Sequence, residues 1–162
     1  MALVGDAVRR WERGRTRVDD LLKRNELQRV TADQDAATRM LQAARTHLDS
    51  AAQIRDRDPE MAMAVAYDAA RKALAALLET QGLRPTSQGG HIALREAIDA
   101  QLGGLPGAQP LQAFDRLRRR RNAVEYLDTG IDINEAAEAH ERAKEMITFA
   151  QHVLHQLPPY GR

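Results

Sequence analysis

Apolar residues recur along this chain at spacings of three and four, in six stretches separated by short polar breaks. The first predicts a helix over about 3–28. Its stripe is Val4, Val8, Trp11, Val18 and Leu22, with Gly14 as a weak point. This segment is highly charged and reads as a helix or protruding arm. Thr31 followed by Gln34 resembles a capping box and opens a second helix to about Asp56, with Ala37, Met40, Leu41, Ala44, Leu48 and Ala51 on one face. Asp58-Pro59-Glu60 is an N-cap, then a first-turn proline, then an acid near the positive helix end. The third helix follows to about Gln81, through Met63, Ala66, Tyr67, Ala70, Leu74 and Leu77, and Gly82 stops it.

Residues 82–90, rich in glycine, proline and small polar side chains, read as a loop. A short fourth helix runs from about His91 to Leu102, and a fifth from Pro110 to Asp128. The sixth runs from Asp132 or Asn134 to Leu157, where Pro158-Pro159 ends it. The pattern predicts an all-α, up-and-down bundle of five to six helices. Its parts are a charged helix or arm (1–30), the bundle (31–157) and a tail (158–162). Alanine is dense on the third and sixth helices, so that pair is expected at the bundle centre or at a dimer seam.

Composition narrows the chemistry. Of 162 residues, 43% are hydrophobic and 29% charged, which excludes a disordered chain. A net charge of +1 excludes a uniformly basic nucleic-acid binder. The absence of cysteine excludes disulfides, a thiol nucleophile and cysteine-ligated metal. No apolar run approaches the roughly 18 residues of a membrane span, and no secretory signal is visible. A cytoplasmic protein with no membrane contact is expected. The 28 alanines and the excess of arginine (21) over lysine (3) suggest a bacterial source with GC-rich codons.

The most unusual stretch is Phe114 to Tyr126, with five arginines between 116 and 121. Leu111, Phe114, Leu117 and Val124 trace its buried stripe. Arg121 falls on that stripe and Arg118 at its edge. Unpaired charge on a buried face is costly, so Arg121 needs a partner, and Glu125 lies four residues on. Arg119, Asn122 and Tyr126 share a neighbouring line. Two readings stand side by side: a buried ion pair that fixes helix packing, and a site for a ligand or for RNA phosphate.

Arg121-Asn122-Ala123-Val124-Glu125-Tyr126, preceded by Arg118, resembles the late motif of the HEPN superfamily of small helical nucleotide-binding domains. Ala66 to Leu74, Gly82-Leu83-Arg84 and Gly89-Gly90-His91 extend the likeness over roughly 35–157. The resemblance implies a helical bundle that usually dimerises, in a family with many metal-independent RNases, often toxins of toxin–antitoxin pairs or parts of defence systems. The family motif is Arg, a polar residue, three more residues, then His. Arg121 and Asn122 match its start, but Tyr126 stands where the acid–base His belongs. A tyrosine of pKa about 10 is a poor substitute.

If the chain cleaves RNA, the resemblance implies that Arg121 stabilises phosphate charge and Asn122 positions the backbone. Glu125 or His91 must then move protons. His91 opens the fourth helix after a Gly-Gly hinge. Together with Arg84, Arg118 and Arg119 it is a candidate phosphate contact. Asp68 and Tyr67 are expected to support the site; Asp68 either accepts from Arg118 or Arg121 across the bundle or pairs locally with Arg71 or Lys72. His152 and His155 lack a carboxylate at ligating spacing, so no metal is expected, and no cofactor. The expected partners are a second copy of the chain, RNA or nucleotide, and a cognate antitoxin or nucleotidyltransferase. The alternative function is a non-catalytic dimerising module that binds a protein partner. A third is a DNA-binding accessory protein using the basic first helix.

Overall fold

Short acidic side chains start the three longest helices by holding first-turn N–H groups that have no partner within the helix. The Asp33 carboxylate accepts from the Ala36 N–H at 2.8 Å, Asp58 from Met61 at 3.0 Å and Asp132 from Glu135 at 2.8 Å. The helices they open are α2 (Gln34–Ile54), α3 (Pro59–Glu79) and α6 (Ile133–Val153), which follow α1 (Arg15–Lys23) and are joined by α4 (Gly90–Leu102) and α5 (Ala113–Leu127). The cap of α2 is thus Asp33, not Thr31. Asp33 is one residue before the helix, where its short carboxylate reaches the third N–H. The computed structural model describes residues 11–127 and 130–161, and the side chains of Glu125 and Leu127 lie outside what it describes.

Helix α3 is the centre. It packs against α2 along one side and α6 along another, with α5 and α4 on what remains. Ala66, Ala69, Ala70, Ala73 and Ala76 of α3, and Ala136, Ala139, Ala143 and Ala150 of α6, are buried within the chain. The small side chains bring the helices together inside one protomer, so this alanine seam is the bundle centre. Gln81 and Gln101 are also buried. Their amides exchange two hydrogen bonds, at 2.9 and 2.7 Å, and join the end of α3 to α4 without leaving polar atoms unsatisfied.

Of the first thirty residues, the described ones, 11–30, depart from the expected continuous helix. Val4 and Val8 lie outside the described residues. Gly14, with φ 76°, precedes α1, and Trp11 also has a positive φ, so the helix begins only at Arg15. Nor do residues 11–30 protrude. Trp11, Val18, Leu21 and Leu27 are buried, and α1 packs on α4. The gain from burying a large aromatic and three aliphatic side chains outweighs the solvation of the charges, which remain on the other face of α1. The tail is held to the same region. Trp11 Nε1 donates to the Pro158 carbonyl at 2.7 Å, and buried Tyr160 donates through its hydroxyl to Asp19 at 2.8 Å.

The expected loop 82–90 contains a strand. β1 (Leu27–Arg29) and β2 (Leu83–Pro85) pair antiparallel, with Leu27 opposite Pro85 and Arg29 opposite Leu83. Gly82 does end the third helix, its N–H reaching the Glu79 carbonyl at 3.1 Å. One 3₁₀ turn (Gln109–Gln112) leads into α5, which therefore starts at Ala113 rather than Pro110; another (Leu154–Gln156) follows α6.

Candidate functional site

Tyr67, on the inner face of α3, is fully buried. Its ring stacks on Phe114 of α5 at 5.4 Å between centroids. The guanidinium carbon of Arg121 lies 5.6 Å from the ring centroid, within cation–π range. The Tyr67 hydroxyl meets Nδ1 of His91, at the start of α4, at 2.6 Å. One side chain thus touches α5 twice and α4 once. The helical stripe Leu111, Phe114, Leu117 packs inward as its spacing predicts, and carries Arg121 in over Tyr67.

Charge around this pair decides where its proton sits. Burial pushes the Tyr67 phenol up to about 12, although Arg71, Arg118 and Arg121 pull the other way. Burial also lowers the pKa of His91, helped by Arg71, Arg121 and Arg118 and opposed by Asp68. The proton therefore stays on Tyr67, whose hydroxyl donates to Nδ1. A neutral His91 must then carry its own hydrogen on Nε2. His91 is poised as a hydrogen-bond donor and is a weak base at neutral pH.

Arg121 and Asp68 line a cleft of about 440 Å³, with Met61, Val65 and Val124 as apolar wall. His91 and Arg71 line a second cleft of about 490 Å³. Asp68 makes the local pair, to Arg71 at 3.3 Å. Arg118 pairs with Asp115 at 3.0 Å, and Arg119 with the same carboxylate at 2.8 Å. Burial opposes ionisation of Asp115, but the Arg118 hydrogen bond and the charges of Arg118, Arg119 and Arg95 outweigh it and hold the carboxyl below its ordinary range.

A family model for the HEPN domain matches residues 36–153. The chain belongs to the HEPN domain family. That membership points to a nucleotide- or RNA-related role in general, and it covers every residue of the Tyr67 group. No curated protein and no solved structure matches the chain.

The HEPN motif residues do not all converge. Arg121 joins Tyr67 and His91, and Arg118 contributes its field to both. Asn122 is half-buried on α5. Tyr126, at the position of the family His, is 77% exposed and does not face the group. The Glu125 side chain lies outside the described residues. Arg84 does not approach Arg121; it makes a two-pronged contact with the buried carboxylate of Glu79, at 2.8 and 3.4 Å. Arg119 is 75% exposed and stays with Asp115.

Two members were not singled out from sequence. Arg71 stands four residues after Tyr67, a spacing that places both on one line of α3, yet its local pairing with Asp68 hid it. Phe114 reads as core and is core, but it also forms the platform under Tyr67. Among the described residues no cluster of His, Cys, Asp or Glu is arranged to hold a metal ion, and no helix is long and apolar enough to cross a membrane.

Proposed function

We propose that this HEPN domain binds RNA or nucleotide phosphate through Arg121, as a cytoplasmic homodimer, and that binding exceeds any cleavage. The observation that carries this reading is the placement of Arg121. It is held over the Tyr67 ring at the wall of an open cleft, with Arg71 and Arg118 close enough to bias the same tyrosine. A guanidinium fixed against an aromatic face is pre-organised for phosphate, because little side-chain freedom remains to be lost on binding.

Proton transfer is the weak step. Tyr126 points to solvent, and His91 has Nδ1 engaged by Tyr67 and a lowered pKa. Metal-independent RNase activity of a toxin or defence type is therefore expected to be weak. Because position 126 points to solvent, Tyr126→His, although it restores the family spacing from Arg121, is expected to leave it weak. Strong EDTA-resistant cleavage by the natural protein, unchanged by Tyr126→Phe and lost in His91→Ala, would overturn this and make His91 the proton carrier.

Binding is tested by fluorescence anisotropy with a single-stranded RNA across salt concentrations. A slope of log affinity against log salt of about −2 to −4 is expected from counterion release by a few cations. No binding at low salt would remove the nucleic-acid reading.

A second reading, a non-catalytic module that holds a protein partner such as an antitoxin or a nucleotidyltransferase, is favoured by exposed Met61, Tyr126 and Ile133. Co-purification of a protein whose binding is lost in Met61→Asp, with RNA binding absent, would select it.

A further inference from the structure

The second cleft, lined by His91 and Arg71, is built differently from the first. Its floor is apolar, with Met40 of α2 and Leu94 of α4. Its polar groups come from three directions: Arg71 from α3, Arg84 from β2, and His91 with Ser87 from the start of α4 and the loop before it. At about 490 Å³ it lies within the range of small-molecule sites.

Three features make its polar edge a receptor for an anion. First, Tyr67 fixes Nδ1 of His91, which leaves Nε2 as a hydrogen-bond donor with no other described protein partner. Second, Arg84 is oriented by Glu79, whose carboxylate is buried beneath it, so the guanidinium is held at the cleft while its side chain remains 54% exposed. Third, the first turn of α4, which carries His91, is fixed in place: Thr86 takes the Gly89 N–H through Oγ1 and the Gly90 N–H through its carbonyl at 2.9 Å. The loop is also braced, with Thr86 Oγ1 donating to the Asn25 carbonyl at 2.6 Å and accepting from the Gly89 N–H at 3.1 Å. Both guanidinium groups are held by carboxylates, Arg84 by Glu79 at 2.8 Å and Arg71 by Asp68 at 3.3 Å, so their place at the cleft is fixed before any ligand enters.

Donors from three separate elements suit an acceptor with oxygens in three directions. A planar carboxylate offers two oxygens in one plane, whereas a phosphomonoester offers three around a tetrahedral centre. From this geometry we infer that the α2–α3–α4 cleft is a binding site for a small organic phosphomonoester, its phosphate held by Arg71, Arg84 and His91 and its apolar body lying on Met40 and Leu94. This site is distinct from the Arg121 cleft, and it does not depend on RNA binding there.

Phenyl phosphate is the probe, followed by NMR of the full chain. The expected result is a saturable shift of the His91 imidazole and the Ser87 amide, with the His91 pKa rising because a dianion beside it favours the imidazolium. Arg71→Gln is expected to weaken binding about tenfold, the loss of one charge-assisted contact. Met40→Ser, a neutral change that leaves every proposed phosphate contact in place, is expected to weaken phenyl phosphate but not inorganic phosphate. Benzoate is expected to bind more weakly than phenyl phosphate.

Shifts that fail to saturate, or the same affinity in natural protein and Arg71→Gln with the fold intact by circular dichroism, would overturn the proposal. Benzoate binding as tightly as phenyl phosphate would overturn the choice of a phosphomonoester. The two clefts fail separately: loss of RNA binding in Arg121→Gln with phenyl phosphate binding retained speaks only to the first, and the reverse pattern only to the second.

Discussion

On the outer side of α5, Arg116 reaches Glu138 at 3.2 Å, Arg119 reaches Asp115 at 2.8 Å and Arg120 reaches Glu135 at 2.9 Å. On its inner side Arg121 lies over a buried tyrosine. The same residue type, within one and a half turns of helix, serves two purposes. The outer arginines are matched by acids of α5 and α6 in contact with water, where each pair contributes little because solvent screens it. The inner one acts in a place where burial has already shifted the protonation of Tyr67 and His91, so a nearby charge counts for more. The density of arginine in a stretch is thus a poor guide to a site; what sits under each guanidinium is a better one.

The comparison is broken most forcefully at its platform. Tyr67→Ala removes a fully buried ring stacked on Phe114, and is expected to cost about 3–5 kcal/mol in urea unfolding, the range for large aromatic truncation. A loss under about 1 kcal/mol would mean that the ring is not the support of the inner side. Next comes the hinge that positions His91. A Cβ at Gly89 would collide with the Glu26 carbonyl oxygen and lie 2.7 Å from the Ala93 Cβ. Gly89→Ala is therefore expected to cost about 1–3 kcal/mol by overpacking, and to disturb the His91 NMR signals more than those of α6.

Tyr67→Phe keeps the ring and removes only the hydroxyl, with an expected cost of about 1 kcal/mol for one hydrogen bond. Smallest is the outer face. Arg116→Gln, at a side chain 79% exposed, is expected to change stability by less than about 0.5 kcal/mol.

Protonation sharpens the same contrast. Tyr67 titrates above its ordinary value of 10.0, at about 12, so the folded state holds a proton that the unfolded chain releases. Its contribution to stability is complete below pH 10 and is lost as pH rises toward 12. His91 has a lowered pKa, so the unfolded chain binds the proton more readily. Its contribution is present above its ordinary 6.5 and is lost as pH falls below it. In Tyr67→Phe the alkaline loss should shrink, leaving the part due to Tyr160, which is also raised by burial and by Asp19. Alkaline unfolding curves that superimpose for natural protein and Tyr67→Phe would contradict the burial of this phenol.

Much of the bundle was legible because α2, α3 and α6 are long enough for a helical period to repeat several times, and because Asp58-Pro59 and Asp132 mark helix starts chemically. The three-residue strands were not, since so short a run cannot show alternation. Trp11 reads like any member of an amphipathic stripe. Only the packing of α1 on α4 and the Pro158 carbonyl reveal that it is core.

At the site, the inward turn of Arg121 follows from its spacing to Leu117 and Phe114 on one helix. The Tyr67–His91 contact spans 24 residues and two helices, and no local pattern encodes it. The partner of Arg84 was hidden for a related reason: Glu79 ends one helix and Arg84 lies in the strand after the turn, so helical spacing does not connect them.

The most direct measurement sets the two sides of α5 against each other with one RNA. Affinity for a single-stranded oligomer at low salt is compared among the natural protein, Arg121→Gln and Arg116→Gln, each with its fold verified by circular dichroism. Both variants lose one positive charge, so a purely diffuse attraction would weaken equally in both. If Arg121 is the phosphate contact, Arg121→Gln weakens binding by about tenfold or more, the loss of a charge-assisted hydrogen bond, while Arg116→Gln stays within about threefold, because only a screened surface charge is removed. Equal losses in the two variants, or a larger loss in Arg116→Gln, would contradict the assignment of the inner arginine as the site.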